Sequence, residues 1–521
     1  MKISKNQYLF ILTLILGAYY LVIGIYLNHL GYYNQESIFY IEKTKIVFEG
    51  LGNRIKVMGL TSPLLPFYNT FIFSWIDSYL APVIASAIGT AVLFYIIASA
   101  LTKRIDDDFY LYVLLLLFFI HPGLLYTACS GKSIYMVLTF FFLFFFNLLK
   151  FYRSNTTFHV SLASICLVIL IFCDYKFIWL TLFFVPLVLV ITVQSLNLGE
   201  KESIFRLFLS FNSPSLRRKL INKTFAIYII LFILPVASVI CYKLLNLTHA
   251  NDLNYFIESP YATWNVLVDK LNFDIATTSA NYQLPELSIM VSVRVIYFCP
   301  LILVAIYLFR ESTYQALTIL TPFAFIEFLH IKYDKIFLTY EYYLIFLIMS
   351  LLCLVFKAQT VKRQMLFKAI LFIVVLIQLY TGYIFLSQSL ITDEKRFITT
   401  LTTLKPNTDQ EESMELAEVI NNLPKTSRVL MDDAVAYPVA AFTHDIQKLT
   451  LPYQDLFLSA IETPYRYDDY VLIATPKNPF TGYTQLSSRY IPLIKIVNSG
   501  VNYQRVYETD NWILYRIVST Q

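Results

Sequence analysis

Tyr8–Asn28 reads YLFILTLILGAYYLVIGIYLN, and after a short polar step Gln35–Gly50 reads QESIFYIEKTKIVFEG. The first stretch is uncharged over the length of helix that crosses a bilayer core, about 20 residues. The second mixes acids and lysines with apolar residues. It predicts a helix with Ile38, Ile41, Lys45 and Phe48 set against Glu42 and Glu49, lying along the outer membrane surface. An ionisable segment straight after a span places charged groups where the membrane face meets water, the usual seat of chemistry on a lipid-borne substrate. Leu9–Leu27 is too long for the core of a signal peptide and no small-residue cleavage site follows, so the segment is expected to stay attached as the first span.

Ten further apolar windows follow, at 79–101, 109–128, 133–150, 158–174, 177–195, 224–246, 288–309, 314–330, 338–357 and 366–387, so about eleven spans are expected. With 57% hydrophobic and 14% charged residues, the chain has about half the charge of a soluble domain, so most of its surface cannot face water. Loops rich in Lys and Arg, such as Lys103-Arg104 and Arg217-Arg218-Lys219, alternate with poorer ones. The positive-inside rule then puts the N-terminus in the cytoplasm and the C-terminal region outside a cytoplasmic membrane. The net charge of +5 therefore reflects orientation, and no nucleic-acid partner is expected. Six cysteines show no metal-binding or disulfide spacing. No internal repeat is visible, which weighs against an inverted-repeat transporter.

The expected architecture is a polytopic α-helical membrane domain over 1–390, with exported loops at 29–78 and 247–287, followed by an extracytoplasmic α/β domain over 391–521. In that last part a helix is predicted over Glu411–Asn422 and another over Gln454–Glu462. Strands are predicted near Arg428–Met431, Tyr470–Thr475, Leu493–Val497, Gln504–Glu508 and Trp512–Val518.

Four more segments extend a pattern begun by Gln35–Gly50. Gly59-Leu60-Thr61-Ser62-Pro63-Leu64-Leu65-Pro66 turns into the next hydrophobic stretch, and Ser130-Gly131-Lys132-Ser133 precedes the fourth span. Cys173-Asp174-Tyr175-Lys176 occupies the next outer turn, and Tyr340-Glu341-Tyr342-Tyr343-Leu344 enters a late span. In this order they resemble the C-type (GT-C) membrane glycosyltransferases, in particular the aminoarabinose-transferase and protein O-mannosyltransferase group. The resemblance implies a GT-C-like membrane domain around a lipid-accessible cavity. It also implies inverting transfer of a sugar from a polyprenyl-phosphate donor to a lipid, glycan or protein acceptor at the outer face. The chain departs from the pattern in three places. Gln35 stands where the family has its catalytic Asp, which leaves Glu36 as the carboxylate. Thr61 or Ser62 stands in place of a Lys before the proline turn, and Ile134 in place of an acid near Ser133.

Such a transfer needs a carboxylate that deprotonates or orients the acceptor, and cations that hold the leaving phosphate. Glu36 meets the first need, and it equally suits an acidic cap in the first turn of its helix. For the phosphate, Arg294 stands inside a span about two turns from its outer end, where a guanidinium has an anionic partner or snorkels to the interface; Glu327 is the alternative partner. Glu327 and His330 share a helix face, with Lys332 and Lys335 following. Together they suit a lipid phosphate, a metal ion, or plain bonding between helices. Arg54 and Lys56 either replace the missing family lysine or are solvated loop charges. Asp174 and Lys176 either line the cavity or pair with each other. Glu341 reaches the same cavity or belongs to an aromatic belt. Glu42 is expected to pair with Lys43 or Lys45 on a solvated face. Trp264, with Tyr255–Pro260, suits stacking on a sugar, and Asp432-Asp433 suits a ligand loop or a helix cap. No glycine-rich phosphate loop is present, so no nucleotide-sugar site is expected. No cofactor is implied, although a divalent ion is compatible with the chemistry. The rival reading is a catalytically degenerate scaffold subunit of an envelope assembly, with Gln35 marking a lost acid.

Overall fold

Leu9, Leu16, Tyr20 and Leu27 recur on one side of helix α1 (Lys5–His29) and are buried, while Phe10, Leu14 and Val22 face outward. An apolar outward side costs nothing where the surroundings are lipid. In this computed structural model the described residues are 4–154, 156–195, 213–262, 293–310, 313–333, 340–389, 391–478, 481, 484, 486–487, 489–490 and 501–519.

After α1 come α2 (Gln35–Glu49), α3 (Leu64–Ser74), α4 (Ala81–Thr102), α5 (Asp108–Ile120), α6 (Pro122–Cys129), α7 (Ile134–Ser154), α8 (Thr157–Cys173), α9 (Leu180–Ser195) and α10 (Pro214–Ala250). The membrane domain closes with α11 (Leu301–Phe309), α12 (Thr313–Tyr333), α13 (Tyr340–Lys357) and α14 (Gln364–Ser387). Among the described residues six helices are long and apolar enough to span a membrane, and the bent pair α5–α6 makes a seventh. The eleven expected spans are therefore met only in part by length. Those at 158–174, 177–195 and 314–330 are shorter apolar helices, and that at 288–309 lies partly outside the described residues. The span expected at 109–128 is broken by 60° at His121-Pro122. Proline has no N–H to give and pushes the residue before it out of the helical region, and His121 accordingly sits at φ −62°, ψ 118°.

Helix α2 corrects the picture of an amphipathic helix on the membrane surface. Every residue from Ser37 to Val47 is buried, because Ile38, Phe39 and Ile41 form one core with Leu416, Val429, Tyr437 and Leu514 of the C-terminal domain. The charges of α2 are thus enclosed and find partners across that junction.

Helix α15 (Thr392–Thr403) follows the last membrane helix. Its Phe397 and Ile398 pack into the membrane-domain core, so the C-terminal α/β unit begins after this helix rather than at 391. The unit contains α16 (Glu411–Asn421), β1 (Val429–Leu430), α17 (Asp433–Phe442), β2 (Leu449–Thr450), α18 (Phe457–Glu462), β3 (Tyr470–Ala474), β4 (Val501–Glu508) and β5 (Trp512–Ser519). The sheet order is β2-β1-β3-β5-β4, parallel among the first three strands and antiparallel across β3-β5-β4. Successive strand residues point to opposite faces. Val429, Leu472 and Leu514 accordingly join the core shared with α2, and Leu430, Val471, Ile473 and Tyr515 form a second core with α18. The strand expected at Leu493–Val497 lies outside the described residues.

Candidate functional site

Asn34 caps α2, its side chain accepting from the Glu36 N–H at 3.0 Å, which fixes the first turn and the direction of the Glu36 side chain. The turn between α6 and α7 meets this point. Gly131 sits there at φ +81°, a left-handed conformation that only glycine adopts freely, and a side chain at this position would strike Ser37. The Ser37 hydroxyl donates to the Ser130 carbonyl at 2.9 Å, so turn and helix are locked together.

The next two residues of the turn meet Glu36. The Ser133 hydroxyl donates to the Glu36 carboxylate. The Lys132 ammonium lies 3.9 Å from Glu36 and is ion-paired with Glu341 in the first turn of α13. Lys132 is therefore flanked by two acids from two different helices, with the Tyr126 ring 5.6 Å from its ammonium. The three side chains keep 13% (Lys132), 18% (Glu36) and 20% (Glu341) of their surface open. Burial pushes the Glu36 carboxyl above its ordinary value, opposed by Lys132 and reinforced by Glu341. Burial acts to lower Lys132, but Glu341 and Glu36 outweigh it and hold the ammonium above its usual range. The result is a charged group of one cation and two acids, partly open and without a hydrophobic seal.

A second pair borders it. Asp174 caps the short helical turn Tyr175–Trp179, pairs with Lys176 at 3.1 Å, and accepts from the Tyr342 hydroxyl at 3.4 Å; the Lys176 ammonium lies 5.0 Å from the Tyr342 ring centre. Tyr342 follows Glu341 directly, so the pair and the triad share one end of α13.

Comparison with solved structures places this geometry in a known fold. The chain superposes on ArnT from Cupriavidus metallidurans, solved bound to undecaprenyl phosphate, with a TM-score of 0.52 over 99% of each chain at 10% identity. The chain therefore shares the fold of that protein. The Archaeoglobus fulgidus oligosaccharyltransferase, in the structure tethered to an acceptor peptide, gives a TM-score of 0.43 at 11% identity, covering 98% of this chain and 74% of that one. No sequence-family profile and no curated protein matches the chain.

Within this fold the other candidate residues fall into separate places. Arg294 and Glu327 both act electrostatically on Tyr343, two residues after Glu341. The Lys332 ammonium stands 4.0 Å from the Trp179 ring centre, beside the Asp174 turn. The side chain of His330, and Lys335 and Trp264 entirely, lie outside the described residues. Arg54 and Lys56 are not brought to Glu36. The Arg54 guanidinium donates to the carbonyls of Gly50 and Val47, closing the C-terminal end of α2, and Lys56 faces Asp455 of the α/β unit at 3.8 Å. Glu42 lies 2.9 Å from Lys43 as an ion pair, but on a sealed face rather than a solvated one. Asp432 caps α17 and Asp433 binds Lys43 at 2.6 Å, so this acidic pair serves the junction between domains. Among the described residues no group of three or more His, Cys, Asp or Glu side chains is arranged to hold a metal ion.

The residues missed as site candidates are Lys132, Ser133, Asp393 and Glu394. Lys132 carried a signal: a lone lysine after a glycine at the mouth of a span, in a chain otherwise poor in charge. The Asp393-Glu394 pair is unremarked in sequence because the helix starts it caps, at Gln35 and Tyr340, are more than 50 positions away.

Proposed function

We propose that the protein is a multi-pass glycosyltransferase of the cytoplasmic membrane, with the N-terminus inside and the α/β unit outside. It transfers a hexosyl or pentosyl group from a polyprenyl-phosphate donor to a lipid, glycan or protein acceptor. The observation that carries this reading is Glu36, turned inward onto Ser133 and Lys132 while 18% of its side chain stays open. In the reaction the Glu36 carboxylate takes the acceptor hydroxyl proton as that oxygen attacks the anomeric carbon. The bond from that carbon to the phosphate oxygen breaks, and its electron pair leaves with the polyprenyl phosphate. Burial raises the Glu36 carboxyl toward the working pH, where a base transfers protons most effectively. Lys132 orients Glu36, and Arg294, Lys176 and Lys332 are the cations assigned to the departing phosphate.

The test is purified protein supplied with a labelled polyprenyl-phosphate sugar. Release of polyprenyl phosphate is expected, and Glu36→Ala should stop it; turnover unchanged in that variant removes Glu36 as the base.

One observation favours the scaffold reading. Gln35 accepts a hydrogen bond from the Tyr437 hydroxyl of the exported unit, so the position of the family's acid is used here to join domains. No turnover with any donor would select that reading.

A further inference from the structure

Helix α15 opens with Thr392-Asp393-Glu394 just beyond the last membrane helix, and its adjacent acids cap two different helices. Neighbouring residues on a helix point about 100° apart, so one turn can reach both ways. Asp393 Oδ2 accepts from the Gln35 N–H at 3.1 Å and from Asn34 Nδ2 at 3.4 Å, at the start of α2. Glu394 Oε1 accepts from the Tyr340 N–H at 2.7 Å, at the start of α13, and its other oxygen accepts from the Ser389 hydroxyl at 2.6 Å. Each acid satisfies an orphan helix-terminal donor and favourably meets the positive end of a helix dipole. The residue after Gln35 is Glu36, and the residue after Tyr340 is Glu341. Both capped donors thus lie one position from an acid that flanks Lys132.

We propose that Asp393 and Glu394 are positioning residues, a two-headed clamp that fixes the spacing of Glu36 and Glu341 around Lys132; their role in turnover rests on the transferase reading. The clamp is rigid because α15 is anchored in the core. Phe397 packs edge-on to Tyr126 at 5.0 Å and to Tyr32 at 5.7 Å, and Gly123 lies so close to the Tyr340 ring that a side chain there would overlap it. Burial pushes the Glu394 carboxyl up to about 7, opposed by the hydrogen bonds from Ser389 and Tyr340 and by Lys132, and reinforced by Glu341.

The test compares Asp393→Ala, Asp393→Asn, Glu394→Ala and Glu394→Gln in the full-length protein in lipid nanodiscs, with two readouts. In the transfer assay the alanine variants should lose about tenfold or more in kcat with donor KM moved less than about twofold, because the reacting groups are misplaced rather than the donor unbound. The amide variants, whose carbonyl oxygen still accepts from the helix N–H, should recover most of the rate. In the second readout, carbodiimide labelling followed by mass spectrometry, Glu36 should react several-fold faster in Asp393→Ala, and Glu341 in Glu394→Ala. If Glu394→Ala does not fold, Glu394→Asp, one methylene short, gives the same readings. Unchanged labelling in the alanine variants overturns the clamp, whatever the rate. A labelling shift in a protein that turns over no donor keeps the clamp and sinks the transferase reading instead.

Discussion

Helix α2 carries two groupings of the same composition, each a lysine between two acids. At its start stand Glu36, Lys132 and Glu341; in its middle stand Glu42, Lys43 and Asp433. The first keeps 13–20% of its side-chain surface open, and the second keeps 3% or less. In the sealed group Asp433 hydrogen-bonds Lys43 at 2.6 Å, and Lys43 is held above its usual range by Asp433 and Glu42 against the lowering effect of burial. Neither oxygen of Glu42 has a hydrogen bond, despite the 2.9 Å approach of Lys43. Burial drives the Glu42 carboxyl well above its ordinary value, opposed by Lys43 and reinforced by Asp433. The sealed group is a joint between helix α2 and the α/β unit. The open group has the same composition but keeps part of its side-chain surface open. Water access, more than residue type, separates structure from chemistry here.

The same substitution in both groups should break that comparison if it is false. Lys43→Met leaves Asp433 buried without its cation and should destabilise the fold by about 3–5 kcal/mol, read by thermal unfolding, while turnover per folded molecule stays near wild type. Lys132→Met should do the reverse, lowering kcat/KM about a hundredfold with a small shift in Tm. Equal effects of the two on Tm and rate would show that the groups do not differ in kind.

The pH dependence of stability sharpens the contrast. Glu394 has a folded-state value of about 7, above the value near 4.3 for an unfolded glutamate. Between these values the folded chain keeps a proton that the unfolded chain has lost. Stability therefore falls as pH rises from about 4 to about 7 and levels off above. Glu394→Gln should flatten that slope in Tm measured against pH; an identical slope contradicts the assignment. The smallest effect is expected at Glu42→Gln, within about 1 kcal/mol of wild type, because burial already favours the neutral carboxyl that the amide imitates. A large loss there would mean that Glu42 is ionised in the sealed group.

The membrane class and the C-terminal α/β unit were legible in the sequence, since composition, span length and strand periodicity are local properties. Val429–Leu430 and Tyr470–Ala474 fall within predicted strands, Trp512–Ser519 runs one residue past its predicted end, and Glu411–Asn421 matches its predicted helix. The seat of α2 was not legible. Its period of apolar and charged residues fits a surface helix equally well, and the partners that enclose it are remote: Asp433 for Lys43, and the Ala441 and Thr443 carbonyls for Lys45. Burial pushes Lys45 down to about 8, a sign of how fully that helix is covered. The break at His121-Pro122 is a local signal that a hydropathy window averages away. Glu36 was picked out by its place after the first span, whereas Lys132 and the Asp393-Glu394 pair needed three dimensions because each joins elements far apart in the chain.

The central claim is that Glu36 takes the acceptor proton. Its most direct test is the rate of labelled polyprenyl-phosphate release by wild type and by Glu36→Gln, with Tm measured on both. A variant at least about a hundredfold slower at unchanged Tm is expected. A Glu36→Gln protein that releases polyprenyl phosphate at the wild-type rate would contradict it.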